Sequence, residues 1–412
     1  MIFGIIFYIS IPLIILLFDY VSRIVVNLAF SKKIVSYINV GKRQISKEQL
    51  HKAINFVFCL IFLTCVCAFR SVTVGNDTKA YFDFYNETKT YSLAKALRGN
   101  ANYETGYVLY NFIFASMKVP YYLFAFITYL FIFTAVIWCC FRLSKYPTIS
   151  ICLYVCFTFF VLNLSTLRQS LAFGLCLYSL LIFYLTKKHY ILKFLALIPM
   201  CFAISIHISS AAFLIIYCLY FIKIKTKFGF LAYFVSIATF VVFFPAISSV
   251  LIQEITDPSR VYSFYPPSTA NTNISGTLIL TAVVAVGFIS CKVFSPNIDL
   301  SLKKTKANNN NKFINFFTPI YNEKDVDDQL AFAMIVFQIL FIILDNTVFL
   351  LSRVATYGSL GFCILLPNWI NSTSKNKPNN ILLIAIIILA ILYFIYAVLR
   401  INYLNILPYG VF

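Results

Sequence analysis

Residues 194–222 read FLALIPMCFAISIHISSAAFLIIYCLYFI, 29 residues with no Asp, Glu, Lys or Arg and a single histidine, His207. As one helix the stretch would extend about 43 Å. That is too long for one crossing of a hydrocarbon core of about 30 Å, and short for two full ones. Its flanks decide the reading. Lys187, Lys188 and Lys193 precede it, and Lys223, Lys225 and Lys227 follow. A single span would put these clusters on opposite faces of a membrane, whereas short basic loops collect on the cytoplasmic side. The stretch therefore reads as two short helices that turn at His207, both basic clusters inside and the histidine outside. That choice sets the sidedness of everything downstream.

The composition supports a membrane solvent. Apolar residues make up 61% of the 412 and charged residues 11%, so the chain lacks the polar groups to cover a water-facing surface. The expected fold is an all-α, polytopic integral membrane protein, one domain over 1–412. Candidate spans are 2–20, 53–69, 119–141, 147–162, 168–186, 190–206, 208–222, 228–247, 274–291, 329–346, 352–370 and 379–399, about 12 with both ends outside. The run 106–117, cut off at Lys118-Val119-Pro120, reads as a re-entrant or interfacial helix. Outward segments are 70–118, counted with that helix, and 248–273; the inward loop 292–328 carries an Asn308–Asn311 run and reads as a tether. The first 20 residues have no basic n-region or cleavage site and read as a retained span. No repeat relates the two halves.

This topology divides the net charge of +19 unequally: 23 of the 33 basic residues fall inside and 10 outside, with the 14 acidic ones split evenly. The inner excess orients the chain and meets anionic lipid. It does not indicate nucleic acid, because no folded basic domain exists to receive one. All 12 cysteines lie in apolar runs without CxxC or Cys/His spacing, so no metal site is expected.

The outer charges carry the candidate chemistry. Arg70, Arg168, Arg260 and Arg353 lie near outer helix ends or in outer loops. An arginine fork binds phosphate oxygens bidentately and keeps its charge when desolvated. Arg400 and Lys118 read instead as side chains reaching for head groups. Thr166-Leu167-Arg168-Gln169 fits a capping box opening a helix, so Arg168 and free N–H groups together would make an anion site. Gly75-Asn76-Asp77 is turn chemistry; Asp77 reads either as a turn former or as a general base toward a hydroxyl. Glu104 is a second carboxylate, or an acidic residue favoured by a helix dipole. His207 reads equally as a satisfied polar group and as a functional one. Aromatics at 18% add faces for stacking on sugar rings.

In order along the chain, Arg70-x4-Gly75-x-Asp77-x3-Tyr81, Glu104-x-Gly106-Tyr107, Arg168-Gln169-x-Leu171-Ala172, His207-x-Ser209 and Arg353-x3-Tyr357 resemble the EpsG family of Wzy-like polysaccharide polymerases. The resemblance spans roughly 55–360. It departs at Asn76, where threonine is common, and at Gly358, where an aromatic often follows the tyrosine. It implies a GT-C-like glycosyltransferase of the bacterial inner membrane, active at the periplasmic face. Such enzymes move a glycan from undecaprenyl diphosphate to the next lipid-linked repeat, as in O-antigen or capsule assembly, without cofactor or metal. The implied partners are lipid-linked oligosaccharides, membrane lipid and a chain-length-regulating membrane protein. The implied catalytic residues are Asp77, Arg168 and His207; Arg70, Tyr81, Glu104, Gln169, Arg260, Arg353 and Tyr357 would bind substrate. A flippase for the same lipid-linked oligosaccharide, or a glycan ligase, is the rival reading.

Overall fold

A computed structural model describes residues 2–31, 37–40, 43–100, 102–186, 193–221, 328–344, 351–372, 380–402, 405–407 and 409–411. Its elements are α1 (Ile2–Ser31), a hairpin of β1 (Tyr37–Val40) and β2 (Arg43–Ser46), α2 (Lys47–Ala68), α3 (Thr78–Thr88) and α4 (Leu93–Arg98). After these come α5 (Thr105–Ser116), α6 (Tyr121–Leu143), α7 (Pro147–Cys156), α8 (Phe159–Ser165), α9 (Leu167–Leu185), α10 (Leu197–Ile206) and α11 (Leu214–Phe221). The chain ends with α12 (Asp328–Leu344), α13 (Leu351–Ala355), α14 (Ser359–Ser372) and α15 (Asn380–Tyr396).

The protein is a helical, multi-pass membrane protein. Among the described residues α1, α2, α6 and α9 are each long and apolar enough to cross a bilayer, and the bent pair α7–α8 adds a fifth candidate. The expected spans 228–247 and 274–291, the loops 248–273 and 292–328, and Arg260 lie outside the described residues.

The structure corrects the expected organisation at four places. Span 147–162 is not one rod: α7 and α8 meet at 60°. The break is Thr158, whose φ of +66° no α-helix accommodates. The first helix runs past residue 20 to Ser31, and a short two-stranded hairpin follows it in a fold that is otherwise helical. Ser46, the last residue of β2, caps α2 reciprocally with Gln49, at 3.3 and 2.9 Å. Finally, the outward stretch 70–105 is not a plain loop, since it folds into α3 and α4.

Helix α6 is the central post. It packs against α2, α7 and α9, and Phe124, Tyr129, Ile132, Phe133 and Val136 on it are fully enclosed. By contrast α1 exposes Phe3, Ile6, Leu17 and Leu28, as a helix facing lipid does.

Hydrogen bonds sort the helix ends into two poles. At one, the hydroxyl of Tyr8 donates to the Ile406 carbonyl (3.3 Å), Asn76 N–H to Ser165 Oγ (3.0 Å), and Ser71 N–H to the Gly410 carbonyl (2.6 Å). At the other, Asn55 and Thr148 donate to Asp19 at 3.0 and 2.9 Å, while Asn368 accepts from Lys145 N–H at 2.7 Å. The first pole gathers segments expected outside, and the second gathers segments expected inside.

The decisive stretch folds as a hairpin. Ser179 in the middle of α9 donates to the Ala196 carbonyl (2.5 Å) and lies 2.6 Å from the Tyr217 hydroxyl, so both arms descend along one helix. His207 sits at the tip in an extended conformation, φ −152° and ψ 109°, at the first pole. Each arm is about 20 Å long, short of a full crossing.

Candidate functional site

Three ionisable side chains from three separate segments converge at the first pole. Glu104 precedes α5, Arg168 lies in the first turn of α9, and His207 is the hairpin tip. Arg168 donates to Glu104 Oε2 at 2.6 Å. Glu104 Oε1 lies 3.2 Å from His207 Nδ1 and accepts the Ile208 N–H at 3.2 Å. Each of the three side chains keeps 14–20% of its exposure, so the cluster is recessed yet reachable.

Glycine makes this approach possible. A Cβ on Gly106 would lie 2.5 Å from the Ser205 carbonyl oxygen and collide with the Ser205 side chain. Only a residue without one lets the start of α5 press against the end of α10. That close contact carries Glu104 to His207. Opposite the carboxylate, Arg168 also donates to the Asn102 carbonyl at 3.2 Å, and its guanidinium lies 5.2 Å from the centre of the Tyr103 ring.

Burial alone would raise the Glu104 pKa, but the hydrogen bond from His207 and the Arg168 charge outweigh it and hold the carboxyl at about 2. Burial dominates at His207 and lowers its pKa, even though the bond to Glu104 opposes it. At neutral pH the cluster is therefore carboxylate, guanidinium and neutral imidazole. A neutral imidazole that donates its Nδ1–H in a hydrogen bond to the Glu104 carboxylate keeps a lone pair on Nε2.

The expected capping box is not formed. The Thr166 hydroxyl turns back to the Leu162 carbonyl (2.9 Å) and makes no cap bond. Gln169 reaches away instead, donating to the Arg353 carbonyl at 2.6 Å and to Thr356 Oγ1 at 3.0 Å. A long-range backbone acceptor thus took the side chain that local spacing assigned to the cap. One consequence is that no side chain caps the first turn of α9, where N–H groups and the positive dipole end favour an anion.

Gln169 also ties Arg353 to α9. The Arg353 side chain is exposed and makes no ion pair among the described residues. Tyr357, one turn on, is fully buried, with its hydroxyl 3.3 Å from Ser209 Oγ. A Cβ on Gly358 would strike the Met334 carbonyl, so an aromatic has no room there. Tyr81 is buried beside Tyr103 and Tyr107. Burial pushes its hydroxyl up, the Arg168 and Arg353 charges pull it down, and Asp77 adds to the rise. Asp77 is half-buried at the start of α3, and its carboxylate makes no hydrogen bond or ion pair among the described residues.

Arg70 is not brought into the cluster. It is 3% exposed, donating to the carbonyls of Cys67 and Val74 and, at 3.1 Å, to Thr78 Oγ1, with the Tyr129 ring 5.2 Å away. Its donors face the carbonyls of its own turn, so it clamps residues 67–78. Gly75, at φ +91° with the Leu164 carbonyl 2.5 Å from where a Cβ would sit, completes that turn. Asn405 holds it from outside, donating to Asn76 Oδ1 at 2.7 Å and accepting the Gly75 N–H at 3.1 Å. Sequence reasoning did not connect this C-terminal segment to the site.

The five motifs thus meet at one pole, and the family's sequence profile matches residues 53–411, the C-terminal brace included. The chain belongs to the EpsG family. It is a membrane protein of polysaccharide biosynthesis of the Wzy type. No curated protein and no solved structure matches it. Within this EpsG chain the profile begins after α1 and the hairpin, so the Glu104, Arg168 and His207 cluster lies wholly inside it.

Proposed function

We propose that this EpsG protein is a polymerase that transfers a glycan from undecaprenyl diphosphate to a hydroxyl of the next lipid-linked repeat unit, at the outer face of the cytoplasmic membrane. The observation that carries the reading is Glu104 bridging Arg168 and His207. One carboxylate fixes a phosphate-binding guanidinium with one oxygen and a neutral imidazole with the other.

Each group then has a role. Arg168, with the uncapped start of α9 and the exposed Arg353, binds the donor diphosphate and stabilises the charge that develops as it leaves. His207 Nε2 takes the proton of the acceptor hydroxyl. The acceptor oxygen bonds to the anomeric carbon, the bond from that carbon to the diphosphate oxygen breaks, and undecaprenyl diphosphate departs with the electron pair. A single displacement of this kind inverts the anomeric configuration. Glu104 is a positioning residue, since both its oxygens are occupied within the cluster. The Asp77 carboxylate, without a partner among the described residues, accepts hydrogen bonds from acceptor hydroxyls, and the half-buried Tyr103 offers a sugar-binding face.

Deleting the gene in the native organism and separating surface glycan by gel tests the reading. Loss of the long-chain ladder with one repeat unit still attached to its acceptor is expected. Complete loss of surface glycan would point to a flippase, and unattached polymer of normal length to a ligase.

A further inference from the structure

A polar cavity lies at the other pole, away from Glu104. There the ends of α1 and α6 and the starts of α2 and α7 enclose a cavity of about 480 Å³. Four cations line it, Arg23, Lys47, Lys52 and Lys145, against two carboxylates, Asp19 and Glu48. The carboxylates are already engaged. Glu48 pairs with Lys52 at 2.6 Å. Asp19 accepts from Asn55 and Thr148, and lies 3.5 Å from both Arg23 and the His51 ring. The ammonium groups of Lys47 and Lys145 have no carboxylate partner among the described residues.

This arrangement differs from ordinary basic residues at a membrane surface, which stand in solvent and meet lipid without a cavity. Here the uncompensated positive charge faces a half-open cavity between helix ends. Its size falls within the roughly 300–1,000 Å³ usual for small-molecule sites, more than a lone phosphate fills. The walls add Val26, Phe141 and Ile149, apolar faces continuous with the helices.

We infer that this cavity is a second ligand site, taking a phosphate-bearing anion with an apolar body: Lys47 and Lys145 hold the phosphate, and the apolar walls hold what it is attached to. The inference is independent of the reaction proposed for the first pole. A membrane phospholipid and a soluble phosphate ester share this chemistry.

The test uses the purified full-length chain in a neutral detergent, with thermal unfolding as the readout. Dihexanoyl phosphatidylglycerol, dihexanoyl phosphatidylcholine, glycerol 3-phosphate and inorganic phosphate are titrated separately. A saturable rise in Tm with phosphatidylglycerol but not phosphatidylcholine is expected, with affinity falling about tenfold or more in Lys47→Gln/Lys145→Gln. The same saturable, lysine-dependent rise with glycerol 3-phosphate or phosphate also supports the site and identifies a soluble source. Should the double variant not fold, Lys47→Gln alone serves, since that side chain is exposed. Lys79→Gln, at the first pole, is expected to bind as wild type. No saturable shift with any anion, or one that survives loss of the lysines, overturns the inference.

Discussion

Replacing Glu104 by Gln keeps the shape of the side chain and removes the charge that Arg168 and His207 share. The carboxyl falls from its usual 4.5 to about 2, worth about 3 kcal/mol in favour of the ionised form. A fifth of the side chain is open to solvent, and a neutral His207 supplies a hydrogen bond rather than a charge. Screening by that solvent brings the contribution to about 2 kcal/mol. Because the folded pKa lies below the unfolded one, the contribution is complete above about pH 4.5 and is lost as pH falls toward 2. Thermal unfolding of the purified variant at pH 7 is therefore expected a few degrees below wild type, with the gap closing in acid. Glu104 also favours the protonated form of His207, so the variant's remaining polymer formation should lose its acid limb at a lower pH than wild type. Equal stability at pH 7, or a gap unchanged near pH 2, would refute the charge pairing. An unmoved acid limb would refute its coupling to His207.

His207→Gln should abolish polymer with protein level unchanged, whereas Asp77→Asn should weaken use of the acceptor and leave turnover measurable; the reverse order, read on glycan gels, would transfer the base to Asp77. Gly106→Ala sets a Cβ against the Ser205 carbonyl and should cost about 1–3 kcal/mol, moving Glu104 from His207. Polymer yield should drop even where the variant is recovered folded, and wild-type yield would show that the close contact is dispensable. Arg70→Ala removes the side-chain donor to the Cys67 carbonyl and leaves the Val74 carbonyl only the Thr78 hydroxyl. It should reduce folded protein in the membrane, by size-exclusion yield, rather than donor affinity in a stable protein.

Much of this was legible in the amino-acid order. Of the twelve expected spans, α1, α2, α6 and α9 follow from apolar length, and the position of Lys187, Lys188, Lys193, Lys223, Lys225 and Lys227 was enough to fold 194–222 back at His207. Sidedness alone then placed Glu104, Arg168 and His207 at one pole. What it could not supply is pairing. Glu104 reads as a free carboxylate until its two oxygens are seen to be occupied, and Arg70 reads as a free cation until its donors are followed to carbonyls in its own turn. Gln169 matched a local cap, but a carbonyl 184 positions away took it instead. The bend at Thr158 has no marker, because threonine rarely adopts a left-handed conformation. Gly75 and Gly106 did carry a signal: glycines beside the candidate acids, where the chain packs too closely for a Cβ.

The central claim is glycan transfer between two lipid carriers, and reconstitution tests it most directly. Purified chain is incubated with undecaprenyl-diphosphate-linked repeat units, following glycan length and released undecaprenyl diphosphate together. The account predicts a ladder of lengthening products with one carrier released for each bond formed, and neither signal with Arg168→Ala. Folded wild-type protein that binds the lipid-linked repeat yet forms no longer glycan and releases no carrier would contradict it.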